Sequence, residues 1–199
     1  MRKGGRGRRG ITLLTVCLFA IPAVPVFAQS VATTEDMVRQ LSSLEASADM
    51  DVPALRQQVA DRVKSKANPV ALKRPPAVPQ LLRLPHLNLD IQFNPDSPVI
   101  RPDSYRMLGR VADALSDPKL SSFGFLIVGH SDASARREDN LTLSQRRADS
   151  FRDVLVTTFK ISPKRIQTIG LGEEQLLDAD HPKAAANQQI QVVAVRKGP

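Results

Sequence analysis

Apolar and polar residues alternate strictly at the start of a region that begins at residue 87. Every second position is apolar, which is typical of a strand with one buried face. The apolar set is Leu87, Leu89, Ile91 and Phe93, and the polar residues between them are Asn88, Asp90 and Gln92. Asparagine, aspartate and proline then interrupt the alternation at residues 94–98, which indicates a loop.

Three further strands are predicted downstream. Residues 123–128 form a nearly continuous apolar run, as expected of a strand that is covered on both faces. Residues 166–171 form a second apolar run, and Ile190, Val192 and Ala194 alternate with other residues in the last candidate strand.

Helical spacing separates these strands. Pro102 suits the first turn of one helix, whose buried stripe consists of Leu108, Val111, Ala112 and Leu115. A longer helix is predicted from about Leu141 to Thr158, with Asn140 as its N-cap. Ala148, Phe151, Leu155 and Thr158 recur in it at a helical spacing of three or four residues.

Residues 182–186 leave room for only one or two helical turns before the last strand. The order of elements is therefore β-α-β-α-β, a loop or short helix, and β. This alternation predicts an α/β (α+β) fold in which helices pack on a sheet.

Residues 29–86 are predicted to form an accessory arm. Two short helices are indicated, one from about Thr34 and one over residues 52–63, and both are short enough to be marginal alone. Five prolines between residues 69 and 85 predict an extended, semi-stiff tether over residues 68–85. The tether is either a spacer or a docking segment for another protein.

Residues 1–28 have the three parts of a secretory signal. Basic residues come first, residues 11–19 form an apolar core, and Val26 and Ala28 occupy the small-residue positions before a cleavage site. We expect the mature chain to begin at Gln29 and to contain no transmembrane span. Within residues 1–28, Pro22 and Pro25 interrupt the apolar segment before a helix could cross a bilayer, which needs about 20 apolar residues. A retained anchor and cleavage before a lipidated Cys17 are the alternatives.

The net charge of +8 at pH 7 is concentrated at the N-terminus. Five of the 28 basic residues lie in the first ten positions, so removal of residues 1–28 leaves 23 basic against 20 acidic residues. The chain has no Trp and one Tyr, and the interleaved basic and aromatic residues of nucleic-acid binders are missing from the sequence. Nucleic-acid binding is therefore not predicted.

Candidate chemistry lies where residues 123–128 lead into Gly-His-Ser-Asp at 129–132. Asp132 ends this strand, and Arg147 follows fifteen residues later in the long helix. A carboxylate and a guanidinium facing each other across a cleft suit a ligand that carries an ammonium and a carboxylate close together. Spacing alone favours the alternative, a direct structural salt bridge between the two side chains.

The chain resembles the OmpA-like peptidoglycan-binding family over residues 87–197. The family pattern reads roughly Gly-His-Thr-Asp, then Asn, then Leu-Ser-x-x-Arg-Ala, and it matches residues 129–132, Asn140 and residues 143–148. The resemblance implies a mixed four-stranded sheet with its helices mainly on one face. It also implies that Asp132 and Arg147 bind meso-diaminopimelate of the peptidoglycan stem peptide, which favours ligand binding over the salt bridge.

The resemblance implies further cleft residues. Asn140 and Leu143 match positions that line the cleft, while Asn94 and Asp96 belong to the loop that closes its other side. This sequence departs from the family at several points near the site. Asn94 replaces a frequent acidic residue, Ala135 a common Gly and Asp139 a common Tyr, and residues 187–189 read Asn-Gln-Gln where the family has Asn-Arg-Arg.

An enzyme is not predicted. The chain contains three histidines, His86, His130 and His181, and none is at metal-ligand spacing. Ser131, His130 and Asp132 are consecutive, so their side chains diverge instead of forming a nucleophile relay. The resemblance and the signal at residues 1–28 together imply a periplasmic, cofactor-free module that binds peptidoglycan noncovalently. The alternative is an envelope scaffold whose domain has lost strong affinity for the wall.

Overall fold

A computed structural model describes residues 32–43, 50–65 and 74–196. The predicted signal peptide, Cys17 and the first part of the predicted tether lie outside the described residues. Within the described ranges the helices are α1 (Thr34–Leu41), α2 (Val52–Lys64), α3 (Tyr105–Leu115) and α4 (Arg137–Thr157). The strands are β1 (His86–Leu89), β2 (Phe123–His130), β3 (Ile166–Gly172) and β4 (Ile190–Arg196).

The four strands form one mixed sheet in the order β1-β4-β2-β3. β4 pairs antiparallel with both β1 and β2, whereas β2 and β3 run parallel and are connected through α4. Every residue of β2 after Phe123 is buried, so the prediction that this strand is covered on both faces is confirmed. The predicted fold class is confirmed as well.

Two apolar cores lie on opposite faces of the sheet. The larger one joins α1, α3 and α4 to the face that carries Phe125, Ile127 and Val192. The smaller one joins α2 and residues 77–84 to the opposite face, which carries Leu126, Val128, Ile169, Leu171, Val193 and Val195. Three of the four helices therefore lie on one face, as the resemblance implied.

The N-terminal segments pack on the sheet. Thr33 caps α1 by accepting a hydrogen bond from the Asp36 amide, and Pro53 lies in the first turn of α2. The prediction of an extended tether is wrong for residues 74–85, which contain a 3₁₀ turn at Pro79–Arg83. The apolar residues between the prolines explain the difference, because they cover the second face of the sheet; they are Ala77, Val78, Leu81 and Leu84.

A buried group of charges ties this segment to the end of β3. Glu174 accepts from Arg62 Nε at 3.0 Å and from Arg137 Nη2 at 2.8 Å, and it lies 3.6 Å from Arg74 Nε. Glu173 pairs with Arg74, whose side chain is 1% exposed. These five side chains, called the ionic cluster below, connect α2, the segment before β1, β3 and α4.

Helix α4 lies directly on the ends of β2 and β3 because glycines allow it. A Cβ at Gly129 would lie 2.1 Å from the Ser144 carbonyl oxygen, and one at Gly170 would lie 2.4 Å from the Gln145 amide nitrogen. Both distances are shorter than real contacts, so a side chain at either position would push the helix away from the sheet. The two glycines thus set the position of the helix that carries Arg147.

Side chains also cover the β3 edge of the sheet. Four backbone groups of β3 bond to side chains of α2 and α4 instead of to another strand. The Ile166 and Thr168 carbonyls accept from Arg152 and Arg56, and the Gly170 and Gly172 amides donate to Gln145 and Ser144.

Candidate functional site

A cleft of about 870 Å³ opens where β2 ends, between the first half of α4, the loop after Phe93 and the segment before β4. Five of the six predicted site residues meet in it. Its lining includes Asp132, Arg147, Asn140, Leu143 and Asp96, together with Ser131, Ser134, Arg101, Arg146 and Gln188.

Asp132 lies on one side of the cleft and is 6% exposed. Its Oδ1 accepts hydrogen bonds from the Ser134 hydroxyl at 2.5 Å and from the Ser134 amide at 3.3 Å. Its Oδ2 accepts from the amide Nε2 of Gln188 at 2.9 Å. Ser134 therefore fixes one carboxylate oxygen, and the Gln188 side chain holds the other.

Arg147 lies opposite and is 5% exposed. Its Nε donates to the Ser97 carbonyl at 3.2 Å, and its guanidinium stacks on the Phe93 ring at 4.9 Å from the ring centre. Burial lowers the pKa of Arg147, while the nearby carboxylates of Asp96 and Asp132 act in the opposite direction. The guanidinium stays charged, because even a lowered arginine pKa lies far above neutral pH.

Gln188 joins the two charged groups. Its Nε2 donates to Asp132 Oδ2 at 2.9 Å, and its Oε1 accepts from Arg147 Nη1 at 3.2 Å. Among the described residues Asp132 and Arg147 form no direct ion pair, so the salt bridge favoured by spacing alone is wrong. Gln188 stands where the family pattern has an arginine, and this bridge was not predicted from the sequence.

Asn140 is a buried residue inside α4, and the prediction that it caps the helix is wrong. The helix begins at Arg137, and Arg136 is the N-cap. The Asn140 amide donates to Glu173 Oε2 at 2.5 Å and to the Ala135 carbonyl at 3.3 Å. It therefore connects the cleft to the ionic cluster. Leu143 lies one turn further along α4 and is half-buried in the cleft wall.

The loop at residues 94–97 contributes unequally. Asp96 lines the cleft, and its backbone adopts a positive φ of 50°. Asn94 is exposed and is not part of the cleft lining; its amide donates to the Val99 carbonyl at 2.9 Å and its carbonyl accepts from Ser97. The structure thus brings Asp96, but not Asn94, into the wall of the cleft.

Two arginines at the cleft were missed as site residues. Arg101 and Arg146 are both exposed and both line the cleft. Arg146 precedes Arg147 on α4, and helical geometry alone predicts that it points about 100° away. Its long side chain nevertheless reaches the cleft wall. The charged residues of the lining are balanced, with three arginines and three aspartates: Arg101, Arg146, Arg147, Asp96, Asp132 and Asp139.

His130 lies just before the site and is fully covered. Burial lowers its pKa from 6.5 to about 4, although a hydrogen bond to the Gln175 carbonyl at 3.1 Å acts in the opposite direction. The imidazole is therefore neutral at pH 7. Over the described ranges, no group of three or more His, Cys, Asp or Glu side chains is placed to hold a metal ion. Nor does any described helix have the length and apolar character to cross a membrane.

The fold and the cleft define a small α/β ligand-binding domain with a carboxylate and a guanidinium on opposite walls. Residues 92–189 match the family model described as the OmpA family, and this part of the chain belongs to that family. The domains of this family are non-enzymatic, in agreement with the prediction that the protein is not an enzyme.

Curated relatives share part of this chain. It is 40% identical over 85 residues to the peptidoglycan-associated lipoprotein of Rhizobium meliloti, covering 43% of this chain and 47% of that protein. It is 30% identical over 119 residues to outer membrane porin F of Pseudomonas aeruginosa, covering 58% of this chain and 32% of that protein. The chain thus spans about a third to a half of the length of these relatives.

A solved structure, the peptidoglycan-associated lipoprotein from Burkholderia pseudomallei, aligns with 25% identity and a TM-score of 0.44. The alignment covers 53% of this chain and 86% of that chain.

Proposed function

We propose that the protein binds peptidoglycan noncovalently in the cell envelope and catalyses no reaction. The cleft between Asp132 and Arg147 would hold the diaminopimelate of the stem peptide, with its ammonium on Asp132 and its carboxylate on Arg147. Membership of the OmpA family and the likeness to a peptidoglycan-associated lipoprotein support the polymer. The arrangement of charges in the cleft supports the zwitterion.

The observation that carries the proposal is the Gln188 bridge. One neutral amide spans the gap between the two charged groups, donating to the carboxylate and accepting from the guanidinium. The nitrogen and oxygen of an amide are two bonds apart, and those of an α-amino acid zwitterion are three bonds apart. A diaminopimelate centre therefore has nearly the same donor-to-acceptor spacing, and it adds a full charge at each end.

Sedimentation with purified murein sacculi tests the proposal. We expect the wild-type protein in the pellet and Asp132→Ala in the supernatant. Asp153→Ala is the matched control, because Asp153 lies on α4 with a side chain that is 65% exposed and pairs with Arg152. Wild-type protein that stays in the supernatant would contradict the proposal and leave the envelope scaffold as the function.

The periplasm is the proposed location, and export by a signal peptide at residues 1–28 stays a prediction. N-terminal sequencing of the protein from the periplasm would find Gln29 first, whereas a chain beginning at a lipidated Cys17 would contradict it. Another envelope protein at residues 29–86 also stays a proposal. It is restricted by the packing of α1, α2 and residues 77–84 against the sheet, which leaves less of this region exposed.

A further inference from the structure

We infer that Gln188 sets the affinity of the cleft as a built-in competitor, which holds the place of the ligand and must leave before the ligand binds. The inference rests on the proposed function, since it concerns the same pair of charges. The Gln188 amide donates to Asp132 and accepts from Arg147, and these are the two contacts that a ligand ammonium and carboxylate would make. A ligand that bonds to the same two atoms, Asp132 Oδ2 and Arg147 Nη1, therefore competes with the amide for them.

The burial of the two charged groups favours such a substitute. Asp132 and Arg147 are both more than nine-tenths buried, and buried charged groups without partners destabilise a fold. The Gln188 amide gives each of them a hydrogen bond without adding charge. An ammonium and a carboxylate give stronger, charge-assisted bonds at the same two atoms, so the ligand can displace the amide.

The local backbone permits this exchange. The preceding residue, Asn187, is fully buried, and its Oδ1 accepts from the amides of Leu177 and Asp178 at 2.9 and 2.8 Å. Its Nδ2 donates to the carbonyls of Asp178 and His181. Gln188 itself is exposed. Its side chain can therefore rotate into solvent while Asn187 keeps the backbone in place.

Substitution at residue 188 separates a competitor from a ligand contact. Gln188→Ala removes the competing amide, and we expect it to bind a soluble diaminopimelate-containing tripeptide about three- to tenfold tighter than wild type, the equivalent of one neutral hydrogen bond. Gln188→Glu places a carboxylate on Arg147 and beside Asp132, so we expect it to bind more weakly than wild type.

Gln189→Ala is the matched control. The Gln189 amide donates to the Ala186 carbonyl at 2.7 Å and contacts neither member of the charged pair. We expect its affinity to equal that of wild type. Gln188→Ser serves as a second variant that keeps a small polar group should Gln188→Ala fold poorly, and melting curves report the folding of each variant.

Calorimetric titration of these variants and of Asp132→Ala with the tripeptide distinguishes the outcomes. Tighter binding by Gln188→Ala, or by Gln188→Ser in its place, together with unchanged binding by Gln189→Ala, supports the inference. Equal or weaker binding by Gln188→Ala and by Gln188→Ser overturns it, while the proposed function stands if wild-type binding is lost in Asp132→Ala. Absence of binding by both wild type and Gln188→Ala overturns the inference and the proposed diaminopimelate site together.

Discussion

The ionic cluster and the two charged residues of the cleft, Asp132 and Arg147, are both built from carboxylates and arginines. They differ in whether these groups contact each other directly. In the ionic cluster, Glu173 and Glu174 contact arginines directly. In the cleft, Asp132 and Arg147 are equally buried, but a neutral amide separates them and a cavity adjoins them. Charged groups that pair directly with each other stabilise the fold. Charged groups that are held apart can each bind a ligand group of opposite charge.

Asn140 connects the two regions. Its amide bonds to Glu173, and the same residue lines the cleft. The ionic cluster therefore helps to position Asn140, which forms part of the wall of the cleft between Asp132 and Arg147. Substitutions on either side should consequently affect different quantities, stability in the ionic cluster and affinity in the cleft.

The largest effect is expected from Glu174→Ala. It removes a carboxylate that is 1% exposed and that contacts Arg62, Arg74 and Arg137. Breaking a buried ion pair in this way costs about 3–5 kcal/mol of unfolding free energy. Denaturant unfolding measures the change. The exposed Arg152–Asp153 pair is the control, and Asp153→Ala should change the unfolding free energy by less than about 1 kcal/mol. Similar losses in both variants would contradict the structural role of the cluster.

A pH effect is expected from His130, which lies between the two regions. Its pKa is about 4 in the folded protein and 6.5 without burial, so the unfolded chain binds a proton in this window and the folded chain does not. Stability is therefore complete above pH 6.5 and falls as the pH drops towards 4, by about 3 kcal/mol.

Unfolding of wild type and His130→Asn across this pH range isolates the contribution, because Asn keeps a donor for the Gln175 carbonyl but does not titrate. The difference in unfolding free energy between the two proteins should change between pH 6.5 and 4. His181→Asn is the control, since His181 is exposed. A constant difference would show that His130 is not buried in its neutral form.

Arg147→Ala should weaken binding of the tripeptide by about tenfold or more, because a hydrogen bond to a charged group contributes about 1.5–3 kcal/mol. Arg146→Ala should weaken it less, since Arg146 is exposed at the cleft wall and acts through screened attraction. Calorimetry at low and high salt compares them, and only the Arg146 contribution should vanish in high salt. An equal or larger loss of affinity in Arg146→Ala would contradict the assignment of the ligand carboxylate to Arg147.

Asp132→Asn should produce the smallest of these changes, a several-fold loss of affinity at nearly unchanged stability. Asparagine keeps one of the two acceptor oxygens, which Ser134 or Gln188 can still use, and removes the charge that faces the ligand ammonium. A melting curve and a binding isotherm on the same variant are the measurements. Unchanged binding with a clearly lowered melting temperature would assign Asp132 to the fold and not to the ligand.

Periodicity was sufficient to predict the sheet and the elements that carry Asp132 and Arg147, because strand and helix spacing depend on neighbouring residues. The start of α4 was placed four residues late, since Arg136 caps it without a side-chain hydrogen bond and lacks the usual N-cap signal. The packing of residues 77–84 was missed because prolines dominate the local pattern, although the doubly buried β2 already required a cover on its second face.

The contacts that decide the chemistry could not be read from local sequence. Glu174 meets Arg62, which lies 112 residues away in the chain, and Gln188 meets Asp132 across 56 residues. Charge alone does not specify which partner a side chain will find. Gln188 could be recognised only once its position between Asp132 and Arg147 was known.

The side chains along β3 have a consequence for behaviour at high density. Strand addition by a second chain requires free amides and carbonyls at an edge, and four such groups of β3 already bond to Arg56, Gln145, Ser144 and Arg152. An incoming strand at this edge would have to replace all four of these side-chain hydrogen bonds. Neighbouring copies of the domain, even when they are crowded along a polymer, are therefore not stabilised by strand pairing at β3. This edge resists aggregation.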